Sequence, residues 1–313
     1  MADLLRMLTC SVHPLPYLAN PADYFAALRH APGAVLLDSG RPDADRGRYD
    51  IMSAWPLHTL QRQPEEPGRA FLQRLRKQLQ ALGQAQLPAQ YELPFAGGLI
   101  GYLSYDFGRQ LEQLPAQAQD DLQLPDARLG LYPWALISDH QRATSQLVFH
   151  PTLETRERLR LIELFSALEP ATAAPFSLKQ PMQPDISAQQ YAQALAQVQQ
   201  YIQAGDCYQV NYTQRFSAHC HGDAWTAYCA LRAACPTPFS GFMTLPAEGA
   251  IVSLSPERFV RVSKRQVETR PIKGTRPRGK DNAEDAANAA QLLASPKDRA
   301  ENLMIVDLLR NDL

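Results

Sequence analysis

The 313 residues suit one large domain or two ordinary ones, and a content of 45% hydrophobic and 20% charged residues can bury a sizeable core. Lysine plus arginine (31) nearly cancels aspartate plus glutamate (32), so no net charge recruits nucleic acid or an anionic membrane. The first residues lack a long apolar stretch behind a basic start, and no apolar run approaches the ~20 residues that span a bilayer, so a cytoplasmic protein acting on small molecules is expected. Five cysteines, Cys10, Cys207, Cys220, Cys229 and Cys235, are odd in number and form no CxxC pair; they read as reduced thiols used mostly in packing.

In chain order, the apolar period through Tyr24 and Leu28 in PADYFAALRH predicts a helix, and AVLLDSG after it predicts a strand stopped by turn residues. WALISDHQRATSQLVFH reads as a hairpin, and ETRERLRLIELFSALEP as a helix. Prolines at 170, 175, 181 and 184 exclude a helix there, so residues 170–184 read as a linker between domains at 1–169 and 185–313. Beyond it, a capping box of Ser187 and Gln190 opens a helix that aligns Tyr191, Leu195, Val198 and Ile202 and closes at Gly205. YQVNYTQRF is β-rich, and AWTAYCALRAACP is a helix ended by Pro236. Residues 241–271 supply short strands joined by turns. Consecutive strands without intervening helices mean antiparallel pairing, and the class is α+β. No repeat, GxGxxG, P-loop or HExxH pattern is present, which weakens nucleotide and zinc-peptidase readings.

Two later stretches carry candidate chemistry. In ETRPIKGTRPRG, prolines at 271 and 277 and glycines at 274 and 279 describe an irregular loop around Lys273. Most loop lysines are simply solvated, and that reading stands beside a functional one. In SPKDRAENLMIVDLLRNDL, Ser295 caps a helix, Pro296 fits its first turn and Asp298 completes a capping box. Nearly every position from Leu303 to Leu309 is apolar, which predicts burial on more than one face. Glu301 shares its face with Met304, Ile305 and Leu308. A carboxylate so placed must be paired, protonated or bound to a cation: an arginine, the helix start and a metal are the alternatives.

Taken together, GDCYQVNYTQRF (205–216), SLSPERF (253–259), TRPIKGTRPRG (269–279) and KDRAENLMIVDLLRNDL (297–313) resemble the chorismate-binding enzymes, and PFAGGLIGYLSYDFGR (94–109) is similar to their amino-terminal domain. The resemblance covers essentially the whole chain. It implies the fold of anthranilate synthase component I, with antiparallel sheets packed against each other and helices outside. Anthranilate synthases carry alanine where Lys273 stands, whereas PIKGT is the aminodeoxychorismate synthase pattern. By that resemblance Lys273 attacks ring carbon C2 of chorismate, the C4 hydroxyl departs, ammonia enters at C4 and the lysine is expelled.

Such an attack needs a neutral amine, although an ordinary lysine titrates at about 10.4; partial burial and the neighbouring Arg270, Arg276 and Arg278 are expected to favour it. Glu257 matches the general acid that protonates the departing oxygen, a role that desolvation would support; a salt bridge to Arg258 or Arg261 is the other reading. Glu301 matches one of two glutamates that hold Mg2+, through which a substrate carboxylate is gripped. Gly274 and Thr275 are expected to line the substrate pocket. LLDS at 36–39 and PFS at 238–240 resemble the tryptophan-pocket stretches of anthranilate synthases, which places Leu37, Asp38, Ser39, Pro238, Phe239 and Ser240 around an L-tryptophan; an ordinary turn and loop is the alternative. The resemblance implies a glutamine amidotransferase partner that supplies ammonia for p-aminobenzoate and folate synthesis. Further family blocks, with a second Mg2+ glutamate and a carboxylate-binding arginine, do not occur in these residues. An incomplete carboxyl-terminal domain, of doubtful activity alone, is therefore expected. An anthranilate or isochorismate synthase-like enzyme, or a non-catalytic module binding tryptophan or the glutaminase, are the other readings.

Overall fold

In the computed structural model, which describes residues 8–44, 46–168, 174–247 and 249–313, six consecutive residues, Trp134–Asp139, are all buried. A strand achieves this only where both faces of its sheet are covered. It is an inner strand of a seven-stranded sheet in the order Ala250–Ser253, Ser240–Thr244, Val35–Asp38, Tyr49–Ser53, Trp134–Asp139, Thr144–Phe149, Ser11–Leu15. All of its pairings are antiparallel. The predicted hairpin is present, with Trp134 opposite Phe149 and Asp139 opposite Thr144.

A second antiparallel sheet joins His58–Gln61, Ala127–Tyr132 and Gly98–Leu103. Its Ile100 and Tyr132 pack on Val35 of the large sheet, with Ile51, Phe95 and Met243 around them. Helix Gly68–Leu82 covers the small sheet, burying Phe71 and Leu75 against Leu60, Phe107 and Ala127, with Leu82 buried at helical spacing beyond them. Because side chains alternate along a strand, Trp134 faces away from Ile137. On that side it meets Phe165 of helix Thr155–Ser166, with ring centroids 6.0 Å apart, and Phe165 in turn meets Tyr24 at 5.9 Å. The expected α+β arrangement of packed antiparallel sheets with outer helices is thus present. One pair, Leu8–Thr9 with Ala85–Gln86, is parallel. No helix among the described residues is long and apolar enough to cross a membrane.

The chain divides into one compact unit of residues 1–171 and 231–313 and another of 172–230. In the first, strand Ser240–Thr244 pairs with Val35–Asp38, so residues that follow the proline-rich stretch belong to the same sheet as the amino-terminal ones. In the second, Ser177–Leu178 pairs with Cys220–His221, and Gln183–Pro184 with Phe216–Ser217. The end of the predicted linker therefore forms two short strands, while residues 169–173 lie outside the described ones. Helix Ala188–Ala204 carries the predicted capping box and ends on Gly205 in the left-handed region.

Several expectations are corrected. PADYFAALRH is helical only over Ala22–Phe25 and then turns, although Leu28 is still buried. Of YQVNYTQRF only Phe216 lies in a strand, because β-propensity expresses fit to a sheet surface and no neighbouring strand is available for the rest. Helices Ala188–Ala204 and Pro296–Asp312 bury no residue at all. Their period decides which side chains share a face, but cover must come from another element, and the described residues do not supply it. None of the five cysteines is in a disulfide, and only Cys10 is buried.

Phe25 and Phe242 form an edge-to-face pair at 5.7 Å that joins the two ends of the first unit, and both are buried. Phe25→Ala is expected to lower the unfolding free energy by about 3–5 kcal/mol, as measured by urea denaturation; a loss under ~1 kcal/mol would show that the later strands do not depend on this contact.

Candidate active site

Lys273 lies half-buried in the irregular segment between strand Gln266–Glu268 and helix Asn282–Ala294. Pro271 and Pro277 donate no backbone hydrogen bond, so side chains from outside must hold the loop. Glu257 Oε1 accepts the Ile272 N–H at 3.2 Å, one residue before the lysine. Asp298 Oδ2 accepts from Arg276 Nη2 at 2.9 Å. Asp285 accepts from Arg278 Nε at 2.8 Å and from the Gly279 N–H at 2.9 Å. The Arg278 guanidinium, and then that amide, hold the Asp285 carboxyl below the usual carboxylate range. A hydrogen bond from Ser295, and after it one from Arg276, do the same for Asp298. Gly274 has φ +72°, and a Cβ there would come within 2.9 Å of the Asp298 carboxyl and of Leu292. Only glycine fits this turn of chain.

Arg270 pairs with Glu268, which also receives Arg258 at 3.0 Å. The three arginines that crowd Lys273 in sequence therefore each face a carboxylate, and the loop carries less net positive charge than its sequence suggests. Arg258 turns to Glu268 rather than to Glu257. Glu257 is exposed, not desolvated, and its turn is fixed by Ser255, whose Oγ accepts from the Glu257 N–H and donates to the Glu257 carbonyl. Thr275 is exposed beside Gly274.

Glu301 is half-buried on helix Pro296–Asp312, one turn beyond Asp298. Among the described residues no three His, Cys, Asp or Glu side chains are placed to share a metal ion. Mg2+ demands near-octahedral oxygen ligation, and a single carboxylate does not make such a site.

The two stretches expected to face each other do so: Ser240 is the register partner of Asp38, and Gly241 that of Leu37. Asp38 is buried and accepts from Arg232 Nε at 2.5 Å and from the Gly40 N–H at 2.6 Å, while Arg232 also donates to the Arg41 carbonyl. Ser39 donates its N–H and Oγ to Asp50 Oδ1, each at 2.7 Å. Asp50 continues to His140 Nε2 at 2.5 Å, and His140 Nδ1 to the Tyr17 hydroxyl at 2.8 Å. Ser240 is buried against Thr237, Pro238 is half-buried, and Phe239 is exposed under Arg258. Leu37 borders an apolar cavity of about 380 Å3 between the two sheets, with Ile51, Phe95, Ile100, Tyr102 and Leu129. The Tyr102 hydroxyl is buried without a partner among the described residues, and burial pushes its pKa up.

Asp285 and Asp298 as holders of the loop, and Arg232, Asp50 and His140 behind the second pocket, were not foreseen. Asp281 and Glu284 mark the start of the helix that positions Asp285. Nothing local marks Arg232, which meets Asp38 across 194 positions.

The family profile described as chorismate binding enzyme matches residues 33–313. The chain belongs to the chorismate-binding enzyme family. Within that family, aminodeoxychorismate synthase component 1 of Escherichia coli (strain K12) is 43% identical over 99% of this chain and 69% of its own length. The protein of the same name from Klebsiella aerogenes is 42% identical over 98% and 69%. Anthranilate synthase component I from Streptococcus pneumoniae TIGR4 superposes with a TM-score of 0.65 at 25% identity, over 86% of this chain and 62% of that one. The menaquinone-specific isochorismate synthase of Escherichia coli shares the fold, with a TM-score of 0.58 at 14% identity. The chain thus spans about two thirds of the length of these family members.

Removing one partner of a buried ion pair leaves the other charge uncompensated. Arg232→Met is expected to cost about 3–5 kcal/mol in urea unfolding, and adding Asp38→Asn is expected to restore part of it. A double variant less stable than Arg232→Met would contradict this account of the pocket.

Proposed function

We propose that this chain acts as component 1 of an aminodeoxychorismate synthase, converting chorismate and ammonia to 4-amino-4-deoxychorismate and water for p-aminobenzoate and folate synthesis. Ammonia comes from a glutamine amidotransferase partner. Support comes from the similarity to proteins of that name and from one contact: Glu257 holds the backbone immediately before Lys273. Lys273, which replaces the alanine of the anthranilate synthase pattern, argues against anthranilate formation.

In this reading the neutral Lys273 amine adds to C2 of chorismate, the ring double bond shifts, and the C4–O bond breaks. Glu257 protonates the departing hydroxyl, which leaves as water. Ammonia then bonds to C4, the double bond shifts back, and the C2–N bond to Lys273 breaks, so that the amine is recovered. Gly274, without a side chain, lets backbone approach the substrate, with Thr275 beside it. Glu301 would contribute one oxygen toward Mg2+, which when bound would grip a substrate carboxylate; the described residues alone offer no complete site for it. An L-tryptophan at the cavity beside Leu37 would meet an apolar wall, while Asp38 and Ser39, already bonded to Arg232 and Asp50, and Pro238, Phe239 and Ser240 lie outside that lining.

Incubation with chorismate in the absence of ammonia, followed by proteolysis and mass spectrometry, is expected to place an adduct on the peptide containing Lys273. Lys273→Ala should lose it and lower turnover by on the order of 10³-fold or more, and Glu257→Gln should lower turnover by roughly 10²–10⁴-fold. Full turnover by Lys273→Ala, or an adduct elsewhere, would remove the covalent route. For the second pocket, L-tryptophan is expected to raise the melting temperature and Ser39→Leu to abolish the rise; no rise in the unmodified protein would exclude that ligand.

A further inference from the structure

The loop from Thr269 to Gly279 contains four cations, and three of them meet carboxylates: Arg270 with Glu268, Arg276 with Asp298 and Arg278 with Asp285. Lys273 makes no hydrogen bond or ion pair with any described residue. Of the three carboxylates, Asp298 sits where a simpler role is at hand. It occupies the first turn of helix Pro296–Asp312, and its N–H donates to Ser295 Oγ at 3.3 Å, so the backbone half of the cap is already made. Its carboxylate accepts from Ser295 and reaches the loop as well. Oδ2 takes Arg276, while the missing Cβ of Gly274 would lie 2.9 Å from Oδ1. Arg276 therefore binds this carboxylate while the Gly274 backbone passes close beside it, with Lys273 next in sequence. The ion pair is the less exposed for it, with the Asp298 side chain 14% exposed. Upstream, Glu257 holds Ile272, so the lysine is the free side chain between two fixed points of backbone.

We propose that Asp298, acting through Arg276 and Gly274, is a positioning residue that holds the Lys273 loop against the helix bearing Glu301 and leaves the lysine amine unengaged for reaction. Its catalytic purpose rests on the reading of Lys273 as nucleophile. An anion on the first turn is favoured by the helix dipole, so the contact with Arg276 adds to a charge the helix already stabilises. Loss of the anchor is expected to loosen the loop and expose the amine.

The test is competitive acetylation of the protein with trace acetic anhydride between about pH 7 and 10, where a lysine amine begins to deprotonate. Labelling is mapped by mass spectrometry, with Lys179 and Lys264 as internal references. Asp298→Asn and Arg276→Gln should each speed Lys273 labelling by ~3-fold or more, and the double variant should be no faster than either single, since the two residues act as one unit. The references should not change. A residue that only caps the helix would behave otherwise: Asp298→Asn would lower the melting temperature, and Lys273 labelling would stay as in the unmodified protein in both singles. That result, or effects that multiply in the double variant, overturns the anchor. Chorismate adduct mapping on the same variants separates the two readings. An adduct that stays on Lys273 while labelling is unchanged overturns the anchor alone, whereas an adduct on another residue overturns the nucleophile and with it the anchor's catalytic purpose.

Discussion

A charge cannot be buried without an opposite charge or several hydrogen bonds around it, and the pair of Asp38 with Arg232 meets that demand in the first unit. Asp38 ends the strand Val35–Asp38, whose outer neighbour comes from Ser240–Thr244. Arg232 reaches back to it and also takes the Arg41 carbonyl. The pair sets where the later segment can lie against the earlier one. With Ser240 registered on Asp38, Phe242 is carried to Phe25, and the strand Ala250–Ser253 then follows at the edge of the sheet. The ion pair contributes direction more than net energy, since burying two charges offsets much of their attraction.

The same rule operates in reverse around Lys273. Partially exposed arginines do not require partners, yet those of this loop have them, and the carboxylates come from three places in the chain: Glu268 before the loop, Asp285 and Asp298 on the two helices after it. Pairing balances the charge of these arginines beside Lys273, so they raise the local positive potential less than their number suggests. Glu257 uses its carboxylate on a backbone amide, which fixes its distance from the lysine through the chain itself.

What could be read beforehand was local. The hairpin of Trp134–Phe149, the capping box at Ser187, the Ser295 cap and the stop at Gly205 depend on residues within a few positions of each other, and these stand as expected; the box at Ser295 is not completed, because the Ser295 N–H goes to the Leu292 carbonyl and not to Asp298. The motifs that carry the family resemblance were legible as strings. Partners were not: Arg270, Arg276 and Arg278 read as a crowd of like charge because their carboxylates lie up to 22 positions away. Helix Gly68–Leu82 went unread although Phe71, Leu75 and Leu82 have helical spacing, since arginines and glutamines dominate its sequence. The apolar run Leu303–Leu309 predicts a buried helix, but a pattern states only a need for cover, and cover is a property of other residues. The second pocket could be located only by resemblance, because Leu37 and Gly241 meet through a strand pairing of long range.

That strand pairing also bears on how the protein is made. Val35–Asp38 is an apolar strand with Tyr49–Ser53 on one side and Ser240–Thr244 on the other. As the chain leaves the ribosome, the first neighbour arrives almost at once. The second follows some 200 residues later, roughly 10–40 s at ~5–20 residues per second. Throughout that interval an open edge of valine and leucine faces every other nascent chain nearby, the kind of edge that finished proteins cover or charge. Folding yield in the cell is therefore governed by how well this edge is shielded during synthesis, and slow translation through the intervening residues lengthens the exposure.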